Sequence, residues 1–245
     1  TGERKHATSL AAVITPTLVK PSTSASYTLT LTSAATSDQA DKAKIAIPTG
    51  FSNPTGVTAT TPAACNGNAA TWEADGTLIA NNAINLKRPG GGGNTNLCPG
   101  GVLTVTFTSV SPAAEGSYAW TPQLYGVLDG LAFPTFTGNV SVTVDGTAPE
   151  TTITANPPLI TNQTSASFTF TSSEAGGTFQ CSLDNPTTFG ACPPGGYTGL
   201  SQGQHTFRVR ATDAAGNTDA TPAAYTWTVD TIAPNTTITS GPDIE

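Results

Sequence analysis

Apolar and polar residues alternate along many short stretches of this chain, and this pattern restricts the fold more than any other feature. Tyr27, Leu29 and Leu31 alternate with threonines in "SYTLTLTS". The same pattern occurs in "AKIAIP", "VLTVTFTSV", "NVSVTVD", "SFTFTS", "TFQCSL", "HTFRVRATD" and "YTWTVD". Successive strand residues point to opposite faces, so each stretch has one apolar and one polar face. The sequence therefore predicts an all-β fold of antiparallel sheets, each buried on one face.

Turn residues separate these stretches and favour a sandwich of short strands. The chain contains 25 Gly and 19 Pro, which mark turns. It is also rich in Thr, whose branched side chain suits a pleated surface. No such alternation is evident between Asn53 and Pro99, where "RPGGGGN" stands. We expect that segment to be a long irregular stretch.

One phrase occurs twice, 85 residues apart, and indicates the domain organisation. "VDGTAPETTIT" begins at Val144 and "VDTIAPNTTIT" begins at Val229. Each copy follows an alternating stretch, and its proline favours extended backbone. We therefore predict a junction at each copy. Residues 1–147 form a sandwich with long loops, and residues 148–232 form a second sandwich. Residues 233–245 are the start of a further repeat, a linker or a donor strand that completes another chain's sheet.

Charge excludes several partners. The net charge is -7, and only nine Lys and Arg residues are present. They are scattered, so no basic footprint for nucleic acid exists. No apolar run is long enough to span a bilayer. We expect neither nucleic-acid binding nor membrane insertion.

The four cysteines predict disulfides and an extracellular setting. Two lie in each predicted domain, so the simplest pairing is Cys65–Cys98 and Cys181–Cys192. The alternative is four reduced thiols. Because disulfides persist in oxidising compartments, pairing predicts a secreted or cell-surface protein. No CxxC pair is present, which argues against zinc.

The second predicted domain resembles a bacterial Ig-like domain that occurs in tandem in secreted and cell-surface proteins. The residues that carry this resemblance are "FQCSLDN", Cys192 and the run "YTGLSQGQHTFRVRATDAAGNTDATPAAYTWTVDTIAP". The resemblance implies a seven-stranded sandwich, a stabilising disulfide and a role as a spacer or adhesion module. The first domain is more loosely similar to Ig-like modules, through "YTLTLT", "IAIPTGF" and "CPGGVLTVTFTS".

Oxygen-bearing side chains near the second junction make calcium the only candidate cofactor. Asp213, Asn217 and Asp219 lie within seven residues, and Asp230 lies at the junction. Calcium takes six to eight oxygen ligands. The alternative is that Asp213 and Asn217 bond within their own turn.

Exposed aromatic side chains would indicate a sugar-binding surface. Trp72, Trp120 and Tyr125 lie outside the clearest alternation in the first domain. They make carbohydrate binding the alternative function, although Trp120 also suits a sandwich core. We expect His205 to be structural, and with His6 the only other histidine we expect no enzyme.

These observations predict an extracellular structural or adhesion segment. It would be a spacer, or a repeating subunit of a bacterial cell-surface array or filament. Its expected partners are neighbouring copies of itself or adjacent Ig-like domains, with surface glycans as a further possibility.

Overall fold

The computed structural model describes residues 11–33, 40–61, 70–88, 100–126, 138, 140–237 and 239. The chain divides into two compact units, Thr1–Gly146 and Thr147–Glu245. All regular secondary structure in the described ranges is β-strand. Consequently no described segment is a helix able to cross a membrane.

The first unit is built from three sheets. Its strands in the described residues are Ala11–Thr15 (β1), Leu18–Val19 (β2), Ser24–Thr32 (β3), Ala40–Ala46 (β4), Thr55–Thr61 (β5), Ala70–Thr71 (β6), Glu73–Ala80 (β7), Ala83–Lys87 (β8), Val102–Val110 (β9), Gly116–Ala119 (β10), Thr121–Gly126 (β11) and Ser141–Val144 (β12). The strand orders are β1-β3-β9-β5-β6, β11-β4-β8-β7 and β10-β12-β2. Every pairing is antiparallel except that of β12 with β2.

The alternating stretches form the core of this unit, as predicted. Tyr27, Leu29 and Leu31 on β3 are fully buried. The ring of Tyr27 stacks on Phe107 of β9 at 5.5 Å between centroids, and Phe107 lies 4.9 Å from the ring of Trp120. An aromatic cluster between the sheets therefore holds the sandwich together.

The prediction of an irregular stretch from Asn53 to Pro99 was wrong, because four strands, β5 to β8, lie there. Their side chains are mostly small or polar, so the apolar alternation is weak. The turn between β7 and β8 is Asn81–Asn82, with φ of 50° and 54°, and Ala80 pairs with Ala83 across it. Two successive left-handed residues make a tight hairpin turn, which Asn tolerates. This Asn-Asn dipeptide was the missed signal. Residues 89–99 lie outside the described ranges.

The second unit has seven strands in its described residues, the number that the resemblance implied. They are Thr151–Ala155 (β13), Ile160–Thr161 (β14), Thr169–Ser172 (β15), Thr178–Leu183 (β16), Gly190–Ala191 (β17), Gly203–Thr212 (β18) and Ala223–Val229 (β19). β13 pairs with β15, and the second sheet has the order β14-β19-β18-β16-β17. Only β14 and β19 pair in parallel.

The core of the second unit is small and aromatic. The ring of Phe168 stacks on Phe207 at 3.9 Å, and Trp227 is buried beside them. The predicted disulfide between Cys181 and Cys192 is present and closes an 11-residue separation. The other predicted pair, Cys65 and Cys98, lies outside the described residues.

Candidate functional site

The point at which the chain leaves the second unit is held by a network of hydrogen bonds. The Gln202 Oε1 atom accepts hydrogen bonds from Thr231 N at 2.7 Å and Thr231 Oγ1 at 2.8 Å. The amide group of Gln202 donates to Asp230 Oδ1, which also accepts from Ile232 N. The Ile232 and Gln202 hydrogen bonds hold the pKa of Asp230 below its ordinary value. The first residues beyond β19 are thus tied to the sandwich.

The point at which the chain enters the unit is anchored by a buried carboxylate. Asp219, 2% exposed, accepts hydrogen bonds from Thr151 N at 3.1 Å and from Thr221 N at 2.8 Å. Burial raises the pKa of Asp219, but hydrogen bonds from Thr151 and Thr221 outweigh it, so this pKa lies below its ordinary value. The hydroxyl of Thr151 also accepts from Ala211 N at 2.8 Å. β13, the first strand of the second unit, is therefore held at its first residue, Thr151.

These two anchors lie at opposite ends of β18. The entry anchor, formed by Asp219 and Thr151, contacts Ala211, near the last residue of that strand. The exit anchor, formed by Gln202 and Asp230, follows Val229. Val229 pairs with Gly203, the first residue of β18. Because a strand rises by about 3.3 Å per residue, ten residues separate the two ends by roughly 30 Å. The chain therefore crosses the second unit from one end to the other.

The ends of the two units share one backbone arrangement. In the first unit, Asp145 N donates to Val19 O, the last residue of β2. In the second unit, Asp230 N donates to Thr161 O, the last residue of β14. In both, a two-residue strand pairs in parallel with the final strand. The repeated phrase therefore begins at equivalent structural positions.

A buried histidine lies next to the exit. His205 is 7% exposed, and its Nδ1 lies 2.7 Å from Asp184 Oδ2 while its Nε2 lies 2.9 Å from Ser201 O. The hydrogen bond to the Ser201 carbonyl, followed by that to Asp184, raises the pKa of His205 above its ordinary value. The ring also lies 5.5 Å from that of Trp227. This environment fits the structural role expected for His205.

The four residues predicted to bind calcium do not form one cluster. Both carboxylate oxygens of Asp213 accept hydrogen bonds from Asn217, at 2.7 Å from its N and 2.8 Å from its Nδ2. These bonds agree with the alternative in which Asp213 and Asn217 bond within their own turn. Asp219 serves the entry anchor, whereas Asp230 lies at the other end of β18. The structure therefore does not bring the four residues together, since Asp230 lies at the other end of the strand from Asp219.

The aromatic residues predicted to bind sugars do not form an exposed surface. Trp120 is fully buried against Phe107, and Trp72 is 4% exposed. Tyr125 is half-buried, and its hydroxyl donates to Gln123 Oε1. The two tryptophans are therefore core residues and cannot form an exposed sugar-binding surface. Removing a large apolar ring from water lowers the free energy of the folded state.

Sequence reasoning missed Gln202 and Asp184. Gln202 lies in a turn, and no motif marks it. Asp184 has a φ of 56°, a left-handed conformation that Asp and Asn adopt more readily than most residues. The Asp-Asn pair that follows "FQCSL" was a signal for a tight turn, but not for a contact with His205.

No protein-family model and no curated protein matches the chain. Solved structures similar to it include BslA, a bacterial hydrophobin, with 21% identity over 56% of this chain and 92% of that chain, and a TM-score of 0.37. BcpA, the major pilin subunit of Bacillus cereus, has 8% identity over 89% and 65% of the two chains and a TM-score of 0.38. SpaD, a major pilin of Corynebacterium diphtheriae, has 11% identity over 89% and 48% and a TM-score of 0.40. At these values the similarity concerns the all-β fold alone.

Proposed function

We propose that the chain is a structural segment of an extracellular protein, a spacer whose second Ig-like unit is traversed from end to end. The observation that carries the proposal is the placement of the two anchors of the second unit at opposite ends of β18. A unit that is entered and left at opposite ends adds its own length to the chain. A unit with both termini at one end would add almost none.

The anchors also suit a spacer because they fix the direction of the chain. At the exit, one side chain, Gln202, bonds both Thr231 and Asp230. At the entry, Asp219 bonds Thr151 and Thr221. A load applied at the two termini would be carried along β13 and β19 into the sheets. Many backbone hydrogen bonds would then have to break together.

The disulfide supports an extracellular location. The Cys181–Cys192 bond would persist in an oxidising compartment and not in a reducing cytosol. It links β16 to the segment after β17, at the edge of the larger sheet. It thus stabilises a unit with a small core, which suits a protein displayed outside the cell.

The distance across the second unit tests the spacer proposal. Paramagnetic labels on noncanonical residues at Glu150 and Ile232, both exposed, leave the cysteines intact. We expect a narrow distribution centred at roughly 30 Å, the length of β18. In a Gln202→Ala variant the distribution should broaden without a change in its centre. A wild-type distance near half that value would contradict end-to-end passage.

The second candidate function is a repeating subunit of a filament. The molar mass in solution, measured by light scattering, distinguishes a filament subunit from a monomeric spacer. A molar mass that stays at one chain at all concentrations supports the spacer. A mass that grows with concentration supports a filament, and deletion of residues 233–245 then tests the donor-strand prediction. Growth that stops when a chelator is added would show that assembly needs a metal ion.

A further inference from the structure

The smaller sheet of the second unit leaves one edge of β15 without a neighbouring strand. Among the residues that the structure describes, β15 pairs with β13 alone. On its other side, Ala166 forms an isolated bridge with Tyr197 just before the strand begins. No described strand continues this pairing along Thr169–Ser172. An open edge of this kind presents backbone groups to which a further strand can bind.

The direction of the backbone bonds identifies the groups at this edge. Ser173 N donates a hydrogen bond to Glu150 O, on the β13 side of the strand. Backbone N–H and C=O groups of successive residues point to alternate sides of a strand. Those of Thr171 therefore point to β13, like those of Ser173, whereas those of Phe170 and Ser172 point to the open edge.

An apolar cleft lies beside the open edge, between the two sheets of the second unit. A cavity of about 160 Å³ opens there, and its walls include four aromatic rings and the disulfide: Phe168, Phe170, Tyr197, Phe207 and Cys181–Cys192. A second cavity, of about 350 Å³, extends from Phe170 to Phe179. Because both cavities have Phe170 as a wall, we call them together the open cleft.

The rings of the open cleft are incompletely covered. Phe168, Phe170 and Phe179 are half-buried. By contrast, Tyr27 and Trp120 in the core of the first unit are fully buried. Since removal of apolar surface from water lowers the free energy, a strand that closed the cleft would be stabilised by these rings.

The chain contains a second copy of the sequence that already pairs with β15. β13 begins with Thr-Thr-Ile-Thr, and the same four residues occur at 236–239. In β13, Thr152 pairs with Thr171 and Ile153 pairs with Phe170. Ile153 packs against the core, whereas Thr152 is exposed. This sequence therefore forms a strand beside β15 with its isoleucine facing inward.

The second copy lies beyond the sandwich. The exit anchor holds the chain as far as Ile232, whose N donates to Asp230. Thr236, Thr237 and Thr239 are exposed and belong to no strand. The segment is therefore available to another molecule.

We propose that residues 236–239 of a second copy of this chain bind the open edge of β15 as an added strand. Backbone hydrogen bonds hold the added strand, and a pocket for alternate side chains gives specificity. Ile238, which corresponds to Ile153, enters the open cleft beside Phe170, while Thr237 and Thr239 face solvent. The inference rests on the second candidate function, the filament subunit, and supplies the contact between its copies.

The position of β13 itself is the other place that this sequence fits. That position is already occupied, and Thr151 is held there by its hydrogen bonds with Asp219 and Ala211. A second copy would first have to displace β13, whereas the open edge requires no displacement. The open edge is therefore the favoured site.

Paramagnetic relaxation in a mixture of two forms of the full chain tests this inference. One form is isotopically labelled and is observed by nuclear magnetic resonance. In the other form a synthetic residue that carries a nitroxide replaces Thr239. We expect the amide signals of Phe170 and Ser172 in the observed form to lose intensity as the nitroxide form is added.

Two substitutions in the nitroxide form provide a matched pair. Ile238→Asp should raise the concentration needed for half of the effect at least about tenfold, because a charge would then enter the apolar cleft. Thr237→Asp adds the same charge at the neighbouring, outward position and should act like wild type. In the observed form, Ser172→Pro removes one N–H from the open edge and should also weaken the effect. Circular dichroism melting checks that each variant folds, and if Ser172→Pro does not, the matched pair decides.

Several outcomes would overturn the inference. One is unchanged Phe170 and Ser172 signals at millimolar concentration, and another is an equal effect of the two aspartates. New positions for the Thr152 and Ile153 signals would show that the segment replaces β13 instead. Intensity losses confined to chains that carry both labels would assign the segment to its own chain. A molar mass that grows without the expected losses would keep the filament function and refute this contact, while the distance across one chain tests the spacer separately.

Discussion

The His205 contacts predict that the second unit loses stability as the solution becomes basic. Nε2 faces a carbonyl, that of Ser201, and Nδ1 faces a carboxylate, that of Asp184. Both partners are acceptors, so only the protonated imidazole can donate to both. The raised pKa of His205 means that the stabilisation is fully present below the unfolded pKa of about 6.5. It is lost as the pH rises through the higher folded pKa.

The size of this effect follows from the exposure of the two partners. A hydrogen bond to a charged group contributes about 1.5–3 kcal/mol when shielded from water. The Asp184 side chain is 46% exposed, so screening reduces its share, and about 1 kcal/mol is a reasonable total. For a unit of this size, that corresponds to a melting temperature roughly 4–8 °C lower at basic pH.

Nuclear magnetic resonance and calorimetry together test the prediction. The chain has only two histidines, so two imidazole signals are expected, and a His205→Gln variant assigns them. The His205 signal should titrate above its ordinary pKa. An Asp184→Asn variant keeps the acceptor for Thr206 N while removing the charge, and should lower that pKa. If His205→Gln retained the wild-type dependence of melting temperature on pH between about 5 and 8.5, the linkage argument would be refuted.

Three further changes test separate features of the second unit. Asp219→Ala should destabilise the second unit by about 3 kcal/mol in denaturant unfolding, because the buried Thr151 N and the part-buried Thr221 N lose their acceptor. A loss below about 1 kcal/mol would contradict the role of Asp219 in holding the start of β13. Reduction of the Cys181–Cys192 bond, which spans 11 residues, should cost about 3 kcal/mol by loop-closure entropy, measured by melting with and without reductant. Gly177→Ala should cost about 1–3 kcal/mol, since the added Cβ would clash with the backbone oxygen of Thr212. Gly190→Ala is the control and should melt close to wild type, because nothing lies within 4 Å of the added atom.

The sequence predicted the fold wherever strands carry large apolar residues. β3 and β9 alternate Tyr, Leu, Val and Phe with Thr and Ser, and every apolar member at their centres is buried. β5 has Val57 as its only large apolar residue, and β7 has only Leu78 and Ile79, which are adjacent, so neither strand shows an alternation of large apolar residues in its sequence. Strands without this alternation therefore escaped detection, although they complete both large sheets of the first unit.

Site prediction failed where a contact joins residues that are distant in sequence. Asp213 and Asn217 were correctly grouped, but their grouping reflects a local turn and not a ligand set. Asp219 was grouped with them by proximity, yet one of its partners, Thr151, lies 68 residues away. Such a contact depends on how the sheets pack, and sequence spacing carries no information about it.

The repeated phrase acquires a physical meaning from these contacts. Its Asp residues, Asp145 and Asp230, donate from their backbone N to the end of a short parallel strand in each unit. A backbone bond does not require a particular side chain, so it cannot explain why both positions carry Asp. At Asp230 the side chain accepts from Ile232 N, the second residue after it, and so turns the chain out of the sandwich. Asp favours such turns because its short carboxylate reaches the backbone two residues ahead. In this copy of the phrase, the Asp side chain thus helps to set the direction in which the chain leaves the second unit.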